Sequence, residues 1–597
     1  MKVKIFLKKI IIPIREEIVF FFFCMLLLLP RTLMFPIIRF DQCIEDWTQY
    51  NTLRFVSIGV LFSYLFTLLV HISKSRFVKG VIYFVLYVLF FLNIYLAFNF
   101  KATVSPNTLV LLFETTPLEA QDFLNTYATS NQSVAAYTLT VILLCINILL
   151  EYRKRMMVEI ICSYKFIYKI HPYLLSCLLI FLVGGLYSSQ TVCQLIKIKK
   201  AEEMGKWNSK GLASMDLITG FVYSVRYLDL MGDVLSLAEE STKKAVAHDE
   251  SKFQKDSCNI VLVIGESYIK RHSSLYGYHF DTSPRLEKEK KMGRLFVFSD
   301  VVTSSGGTSL AIKNCMSCNS VGHGEKWYDN PFFPALFKKA GYDVFFWDNQ
   351  YNPTSSANFD FSLNSYLHNP TISSLSYTAW HEQISRIDGD IVDDFKKYIS
   401  KNGLGKNNLV IFHLQGQHFE QETRYPHTSE FMKFTSNDID LKESWMTEKK
   451  RMAIAHYDNC TLYNDSVIAS IISLFKDKPT AMVYFSDHGE CIYDIGDYKG
   501  RELDLFSHGS DYIRYLFEIP FVVWCSDEYM ARYPEVIYKL MKASEKPLMT
   551  DIICHILMTL GGVKSNIYDS SRDVLSDDYI CPPRIVNESI NYDEIIK

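Results

Sequence analysis

The sequence predicts an N-terminal bundle of five membrane helices followed by an α/β domain with a mostly parallel sheet. Three observations support this fold class. The chain has 597 residues, which is too many for one ordinary domain. Its apolar residues are concentrated in about the first 190 positions. From residue 258 onward, short apolar runs alternate with helical patterns, as expected for a parallel sheet covered by helices on both faces.

Five apolar stretches are long enough to cross a bilayer core of roughly 30 Å, which takes about 20 helical residues. They lie near 17–36, 53–72, 78–99, 133–151 and 172–190. The first is too long, and is followed by too many similar stretches, to be a cleaved signal peptide. We therefore expect a multi-pass membrane domain over residues 1–200.

The basic residues around the spans predict the orientation of the bundle. They cluster before the first span, between the second and third, and between the fourth and fifth, whereas the alternate loops are acidic or neutral. Cytoplasmic loops carry an excess of Lys and Arg, so the N-terminus is expected in the cytoplasm and everything after the fifth span outside it. Lys197, Lys199 and Lys200 run against this pattern, but a long trailing domain is translocated largely regardless of its charge.

The rest of the chain divides into a helical bridge, 201–255, and an extracytoplasmic catalytic domain, 256–597. A formal net charge of −3 argues against a nucleic-acid-binding protein. Cys315 and Cys318 form a single C-x-x-C without the second pair of a zinc ribbon, so in an exported domain a disulfide involving one or both is expected in preference to a zinc site. Five runs are predicted as buried strands: 259–266, 342–349, 408–416, 480–490 and 520–528.

Carboxylates and imidazoles lie at or just beyond the ends of several predicted strands. Each of them singly could be a solvated turn residue or a satisfied histidine. Ligand sites in parallel sheets lie beyond the carboxyl ends of the strands, however, so together these side chains predict a divalent metal site. Oxygen and nitrogen ligands of this kind suit zinc or manganese better than calcium. The candidates are Glu266, His413, His418, Asp487, His488 and, in the following loop, His508.

A candidate nucleophile lies in the segment 301–317, which runs from a strand through small residues into a helix. Thr308 is expected at the N-terminus of that helix, where free N–H groups and the helix dipole favour an anion such as a deprotonated hydroxyl or a phosphate. Thr308 or Ser309 could equally be an ordinary helix cap. The two roles are compatible, because a metal lowers the pKa of a nearby hydroxyl.

Motifs along nearly the whole chain resemble those of the bacterial phosphoethanolamine transferases, membrane enzymes of the alkaline phosphatase/sulfatase superfamily. This resemblance implies an alkaline phosphatase/sulfatase-like α/β/α domain in the periplasm and a multi-pass anchor in the bacterial inner membrane. The motifs are VIGESYIKRHSSLYGYHFDTSP (263–284), SSGGTSLA (304–311), GYDVFFWDNQ (341–350), HLQGQHFEQETRYP (413–426), YDNCTLYND (457–465), SDHGE (486–490) and SHGS (507–510).

The resemblance also implies a role for each candidate residue. The principal zinc ion would be bound by Glu266, Thr308, Asp487 and His488, with Thr308 as the metal-activated nucleophile. A second metal ion, or the phosphate of the transferred group, would be bound by His413, His418 and His508. The expected cofactor is one or two Zn²⁺ ions, and Mn²⁺ is the alternative.

The reaction implied by the resemblance is a double displacement. Thr308 would take phosphoethanolamine from phosphatidylethanolamine, release diacylglycerol, and pass the group to lipid A or to the lipopolysaccharide core. The membrane spans would hold the site within reach of the lipid donor, and the enzyme is expected to be a monomer. The residues themselves leave the acceptor open between a lipid A phosphate, a core sugar, another glycan and a protein.

Three alternatives compete with this interpretation. An enzyme like lipoteichoic acid synthase would share the spans, the fold and the threonine, but would use phosphatidylglycerol and usually manganese. A sulfatase would need a Cys or Ser in a C/S-x-P-x-R context, which the residues around Thr308 lack. A non-catalytic membrane scaffold would lack metal ligands, whereas every expected metal position is filled.

Overall fold

The computed structural model describes residues 10–28, 49–100, 104, 120–121, 123–124, 127–154, 165–199, 217–249, 257–350, 363–381, 384–501 and 509–597. The described residues form two compact units, one up to Met231 and one from Gly232 onward. The helix α6, Leu217–Lys244, contributes residues to both units. The domain boundaries predicted from the sequence stay a prediction.

The N-terminal unit consists of long apolar helices. They are α1 Ile18–Leu28, α2 Gln49–Ser73, α3 Arg76–Phe100, α4 Asn131–Tyr152 and α5 Lys165–Lys197. Among the described residues, four stretches are long and apolar enough to cross a membrane: Val56–Ser73, Arg76–Phe100, Asn131–Tyr152 and Tyr173–Gln190. They coincide with the last four predicted spans. The described part of the first predicted span ends at Leu28, and its residues 29–36 lie outside the described ranges.

An ion-pair network joins three parts of this unit. The ammonium of Lys79, in α3, lies 2.7 Å from a carboxylate oxygen of Glu17 and 2.7 Å from one of Glu151, at the end of α4. Lys154 is a second cation, 2.8 Å from Glu17, and the Tyr83 hydroxyl donates a hydrogen bond of 2.9 Å to Glu151. Two cations thus face two carboxylates. Charged groups in a poorly solvated helix bundle need such partners of opposite charge, because water is not there to solvate them.

Among its described residues, the second unit is built on a seven-stranded sheet. In chain order its strands are β1 Cys258–Gly265, β2 Leu295–Val297, β3 Asp343–Asp348, β4 Ala379–His381, β5 Asn407–His413, β6 Thr480–Ser486 and β7 Phe521–Cys525. Their spatial order is β2-β7-β6-β1-β5-β3-β4. The pairs β6/β1, β1/β5, β5/β3 and β3/β4 are parallel, whereas β7 pairs antiparallel with both β6 and β2. The predicted mostly parallel sheet is confirmed, with an antiparallel edge.

Helices cover both faces of this sheet. On one face, Val261 and Val263 of β1 share a buried core with the long helix Glu448–Phe475. On the other face, Ile260 lies beside Gly561, the last residue of the helix Ile553–Gly561. The central strands are buried along their whole length, which explains their continuous apolar sequences. The helices are α7 Pro284–Lys291, α8 Thr308–Met316, α9 Phe333–Lys339, α10 Leu363–Leu367, α11 Pro370–Ser376, α12 Gly389–Asn402, α13 Glu448–Phe475, α14 Gly509–Phe517, α15 Asp527–Arg532, α16 Pro534–Ala543, α17 Ile553–Gly561 and α18 Tyr592–Ile595.

Short strand pairs complete this unit. Cys491–Ile492 pairs with Lys499–Gly500 in an antiparallel hairpin directly after β6. The other pairs join Ala247–Asp249 to Val563–Ser565, Val301–Val302 to Leu548–Met549, and Ile585–Val586 to Ile590–Asn591.

The expected disulfide involving Cys315 or Cys318 is not formed. Cys315 and Cys318 are both buried free thiols. Cys315 lies in the last turn of α8, and its thiol lies 3.3 Å from the carbonyl oxygen of Ile312 one turn earlier. The helix therefore directs this thiol back along its own axis, which corrects the expectation from the sequence.

The register of the central strands brings their carboxyl ends to one level. Ile264 of β1 is paired with His413 of β5 on one side and with Phe485 of β6 on the other. The residues that follow these strands therefore leave the sheet side by side.

The loop after β5 packs directly on the end of β1 at Gly416. This glycine has a φ of +49°, and a Cβ atom at its position would lie 2.7 Å from both the backbone nitrogen and the backbone oxygen of Glu266. The backbone nitrogen of Gln417 also donates a hydrogen bond of 2.9 Å to the Glu266 carbonyl. The position of Glu266 thus depends on the glycine at position 416, because a residue with a side chain would collide with the Glu266 backbone.

We predict that Gly416→Ala lowers the free energy of unfolding by more than 2 kcal/mol, roughly the sum of left-handed strain and overpacking. Gly324→Ala is the matched control, because Gly324 also has a positive φ, +76°, but no atom lies within 4 Å of the added Cβ. That control should lose only about 1 kcal/mol. Chemical denaturation of the full chain in detergent measures both values, and equal losses would contradict the close packing on Glu266.

Candidate metal centre

Three candidate ligand side chains meet where β1 and β6 end. Glu266 follows β1 directly, and Asp487 and His488 follow β6, so the parallel register places them together. Nε2 of His488 lies 3.2 Å from Oε1 of Glu266 and 3.1 Å from Oδ2 of Asp487. All three side chains are buried, and their ligand atoms lie within 4.8 Å of one another. Within the described part of the chain, no other group of three His, Cys, Asp or Glu residues meets this criterion.

The backbone after His488 orients the imidazole ring. Nδ1 of His488 lies 3.0 Å from the carbonyl oxygen of Gly489, so Nδ1 carries the proton and donates it to that oxygen. The lone pair of Nε2 then faces the two carboxylates, which is the arrangement of a metal-binding histidine. Gly489 cannot be replaced by a larger residue, because a Cβ atom there would lie 2.1 Å from the Tyr515 carbonyl oxygen.

The two carboxyl groups have opposite electrostatic environments. Burial raises the pKa of Asp487 well above its usual range, and the adjacent Glu266 carboxylate adds to that shift. Burial acts in the same direction on Glu266, but the surrounding basic groups, of which Arg501 is the permanently charged one, outweigh it and hold the pKa of Glu266 well below its usual range. Two buried carboxylates this close cannot both ionise without further positive charge. This ligand set therefore fits a divalent cation, which would supply that charge.

Thr308 is in contact with this cluster. It is the first residue of α8, and its hydroxyl lies 3.2 Å from Oε2 of Glu266 and 3.0 Å from Nε2 of His488. The N-cap residue of the helix is Gly307, so Thr308 is not the cap. The hydroxyl of Ser309 instead accepts a hydrogen bond of 2.8 Å from the ammonium of Lys313. Of the two neighbouring hydroxyls, Thr308 is the one directed at the ligand cluster.

The predicted histidines lie outside this group of three ligands. Nδ1 of His413 lies 2.8 Å from Asp348, whose second oxygen lies 2.8 Å from His368. Nε2 of His413 is buried and has no hydrogen-bond partner among the described residues. His418 is buried, and burial lowers its pKa to about 3, so its imidazole is neutral at physiological pH. His508 falls outside the described residues.

Two further side chains contact the cluster without having been predicted. Gln350 follows β3 and donates hydrogen bonds of 3.2 Å to Oε2 of Glu266 and 2.7 Å to the Leu414 carbonyl. Glu266 was selected because it lies at the end of a predicted strand. Gln350 directly follows the predicted strand 342–349, so the same criterion could have identified it. Arg501 contacts Nε2 of His488 through Nη1 and donates a hydrogen bond of 3.3 Å to the Gly306 carbonyl. Nothing in its local sequence pattern indicated this contact.

Comparison with known proteins identifies the family of this chain. The family model for Sulfatase matches residues 258–561, more than half of the chain. Phosphoethanolamine transferase EptC of Escherichia coli K12 is 28% identical over 395 residues, which is 64% of this chain and 65% of EptC. The matched region thus spans slightly less than two thirds of that relative. Phosphoethanolamine transferase CptA of Salmonella typhimurium is 26% identical over 508 residues, 82% of each chain.

Solved structures agree with the fold. The periplasmic domain of E. coli EptC matches with a TM-score of 0.50 and 27% identity, over 58% of this chain and 96% of that domain. The integral membrane protein lipooligosaccharide phosphoethanolamine transferase A of Neisseria meningitidis matches with a TM-score of 0.59 and 15% identity, over 93% of this chain and 97% of that protein. The second likeness concerns the fold alone, and it includes the membrane helices. The chain belongs to the Sulfatase family, and within that family it resembles the phosphoethanolamine transferases.

Proposed function

We propose that this chain is a membrane phosphoethanolamine transferase of the bacterial inner membrane, with its catalytic domain in the periplasm. It takes phosphoethanolamine from phosphatidylethanolamine and transfers it to a glycolipid of the envelope, either lipid A or the lipopolysaccharide core. The observation that carries this proposal is the Thr308 hydroxyl, which lies against Glu266 and His488 at the ligand cluster. The curated relatives EptC and CptA are named phosphoethanolamine transferases, and E. coli has a relative named Kdo(2)-lipid A phosphoethanolamine 7''-transferase.

The ligand set of the proposed metal centre is Glu266, Thr308, Asp487 and His488. Zinc is the proposed ion, with manganese as the alternative, because carboxylate oxygens and an imidazole nitrogen suit both. The periplasmic domain of E. coli EptC, 26% identical here, has been solved in complex with Zn, which supports zinc. When bound, the ion lowers the pKa of the hydroxyl and offsets charge on the phosphoryl oxygens.

The residues of the chain set up two successive displacements. Oγ1 of Thr308 attacks the phosphorus of the donor, and the bond from phosphorus to the diacylglycerol oxygen breaks. Thr308 donates its proton toward Oε2 of Glu266, and the departing diacylglycerol oxygen takes up one proton, so that diacylglycerol leaves as the alcohol. An acceptor oxygen then attacks the same phosphorus, the bond to Oγ1 breaks, and Thr308 regains its proton. The N–H groups in the first turn of α8 stabilise negative charge beside Oγ1 in both steps.

The histidines beyond the ligand cluster stay proposed as a second site, for a metal ion or for the phosphate of the transferred group. His413 supports this role, because its buried Nε2 has no partner among the described residues while Asp348 fixes the other ring nitrogen. His418 is neutral and therefore able to bind a metal ion. His508 completes the proposed set.

We predict that Thr308→Ala abolishes the covalent phosphoethanolamine adduct on the chain, because it removes the only proposed attacking oxygen. Transfer should fall by at least about 1,000-fold. Ser309→Ala is the matched control, because its hydroxyl bonds Lys313 instead of the cluster. Intact-protein mass spectrometry after incubation with phosphatidylethanolamine measures the adduct, and an adduct on the Thr308→Ala chain would overturn the assignment.

We predict that the purified chain carries about one zinc ion or more, and that Glu266→Gln, Asp487→Asn and His488→Ala each lose it. The exposed Glu535 on α16 supplies the control, since Glu535→Gln removes a carboxylate that is not among the proposed ligands. Elemental analysis of each variant measures the bound metal directly. Undiminished zinc in all three ligand variants would show that the ion binds elsewhere.

We predict that the donor is an ethanolamine phospholipid. The chain is incubated with vesicles that contain either ethanolamine-labelled phosphatidylethanolamine or glycerol-labelled phosphatidylglycerol, and the label on Thr308 is counted. Only the first vesicle should label the protein. Label from phosphatidylglycerol alone would instead indicate an enzyme like lipoteichoic acid synthase. Mass spectrometry of envelope glycolipids from cells with and without the chain then identifies the acceptor.

A further inference from the structure

Arg501 reaches the ligand cluster from outside the strand ends that supply the other site residues. It follows the hairpin of Cys491–Ile492 and Lys499–Gly500, which returns the chain toward the site after β6. Its guanidinium contacts Nε2 of His488 and donates a hydrogen bond of 3.3 Å to the carbonyl oxygen of Gly306. Gly306 lies two residues before Thr308, so Arg501 touches both the ligand histidine and the turn that carries the nucleophile.

The charge of Arg501 acts on every titratable group of the cluster. It contributes to the environments of Glu266, Asp487 and His488, and also to that of His418. Lys313, the cation nearest along α8, instead binds the Ser309 hydroxyl and lies over the Trp327 ring. Arg501 is therefore a cation placed at the cluster itself.

The contact on His488 also fixes where Arg501 lies relative to the nucleophile. Oγ1 of Thr308 lies 3.0 Å from the same Nε2 atom that the Arg501 guanidinium contacts. A phosphoryl group bonded to Oγ1 would thus hold its non-bridging oxygens within reach of that guanidinium. The planar, permanently charged fork of arginine matches two phosphoryl oxygens at once, which a lysine ammonium does not.

We propose that Arg501 is a phosphate-binding residue, whose guanidinium binds the non-bridging oxygens of the phosphoryl group at Thr308. This inference rests on the proposed function and deepens it, because it assigns a second positive group to the transferred phosphate. The guanidinium of Arg501 stabilises the negative charge that develops on those oxygens in both displacements. Nε2 of His488 has one lone pair, so the guanidinium leaves that atom to the bound ion and turns to the phosphoryl oxygens, which are its stronger acceptors.

Equilibrium dialysis with labelled inorganic phosphate tests this role on the zinc-loaded full chain. Arg501→Gln should weaken phosphate binding by about 10- to 100-fold, the range for a lost charge-assisted contact. Arg501→Lys should recover part of that loss, because it keeps the charge without the fork. Arg532→Gln is the control, since Arg532 lies on α15 and pairs with Glu528. It should bind phosphate like the unaltered chain.

The zinc content of each variant separates phosphate binding from a merely structural role. If Arg501 only neutralised Glu266 and Asp487, its loss would change bound zinc and leave phosphate affinity per loaded site unaltered. That result overturns the proposal, as does unchanged phosphate binding in both Arg501 variants. Because inorganic phosphate carries no ethanolamine, the measurement does not depend on the donor. An unaltered chain that binds phosphate through Arg501 but never forms a phosphoethanolamine adduct would refute the proposed function alone.

Discussion

The mutual repulsion of Glu266 and Asp487 is the constraint on which the site depends. Adjacent parallel strands deliver these two carboxyl groups to one buried point, where they share contacts with a single imidazole nitrogen. Such an arrangement is unfavourable in isolation, because burial disfavours each charge and each charge disfavours the other. It becomes favourable when a cation balances the two groups. Arg501 is one positive group in contact with the cluster. The ligand atoms of Glu266, Asp487 and His488 lie close enough together to bind a cation, which would be a second positive group.

The backbone maintains this unfavourable arrangement. The close approach of Gly416 holds the Glu266 main chain against the loop after β5, while the first turn of α8 brings the Thr308 hydroxyl into contact with the cluster. The register of the sheet, the glycine that contacts Glu266 and the N-terminus of α8 thus position the same few atoms. The geometry of the cluster is a property of the whole second unit and not of one short motif.

Much of this architecture could be predicted from the sequence. Continuous apolar runs identified the five longest strands of the sheet, and strand-end chemistry selected Glu266, Asp487 and His488 as neighbours before any register was known. The edge strands β2 and β4 were not predicted, because three-residue strands carry too little pattern. Arg501 was not predicted either, because its contact depends on a two-residue hairpin whose course leaves no periodic signal. The strand pattern predicted the position of His413 but not its contact with Asp348, which lies 65 residues away in the chain. The proposed roles of the three histidines stay predictions.

The hydrogen bond from His488 to the Gly489 carbonyl has a consequence for how this site can vary over evolution. In many metal sites a side-chain carboxylate or amide orients the ligand histidine, and a single substitution there weakens the metal. Here the orienting oxygen belongs to the peptide backbone, which every amino acid carries. Neighbouring positions can therefore drift in sequence without altering the tautomer of His488. Sensitivity to mutation is concentrated at Gly489 itself, where any side chain would collide with the Tyr515 carbonyl.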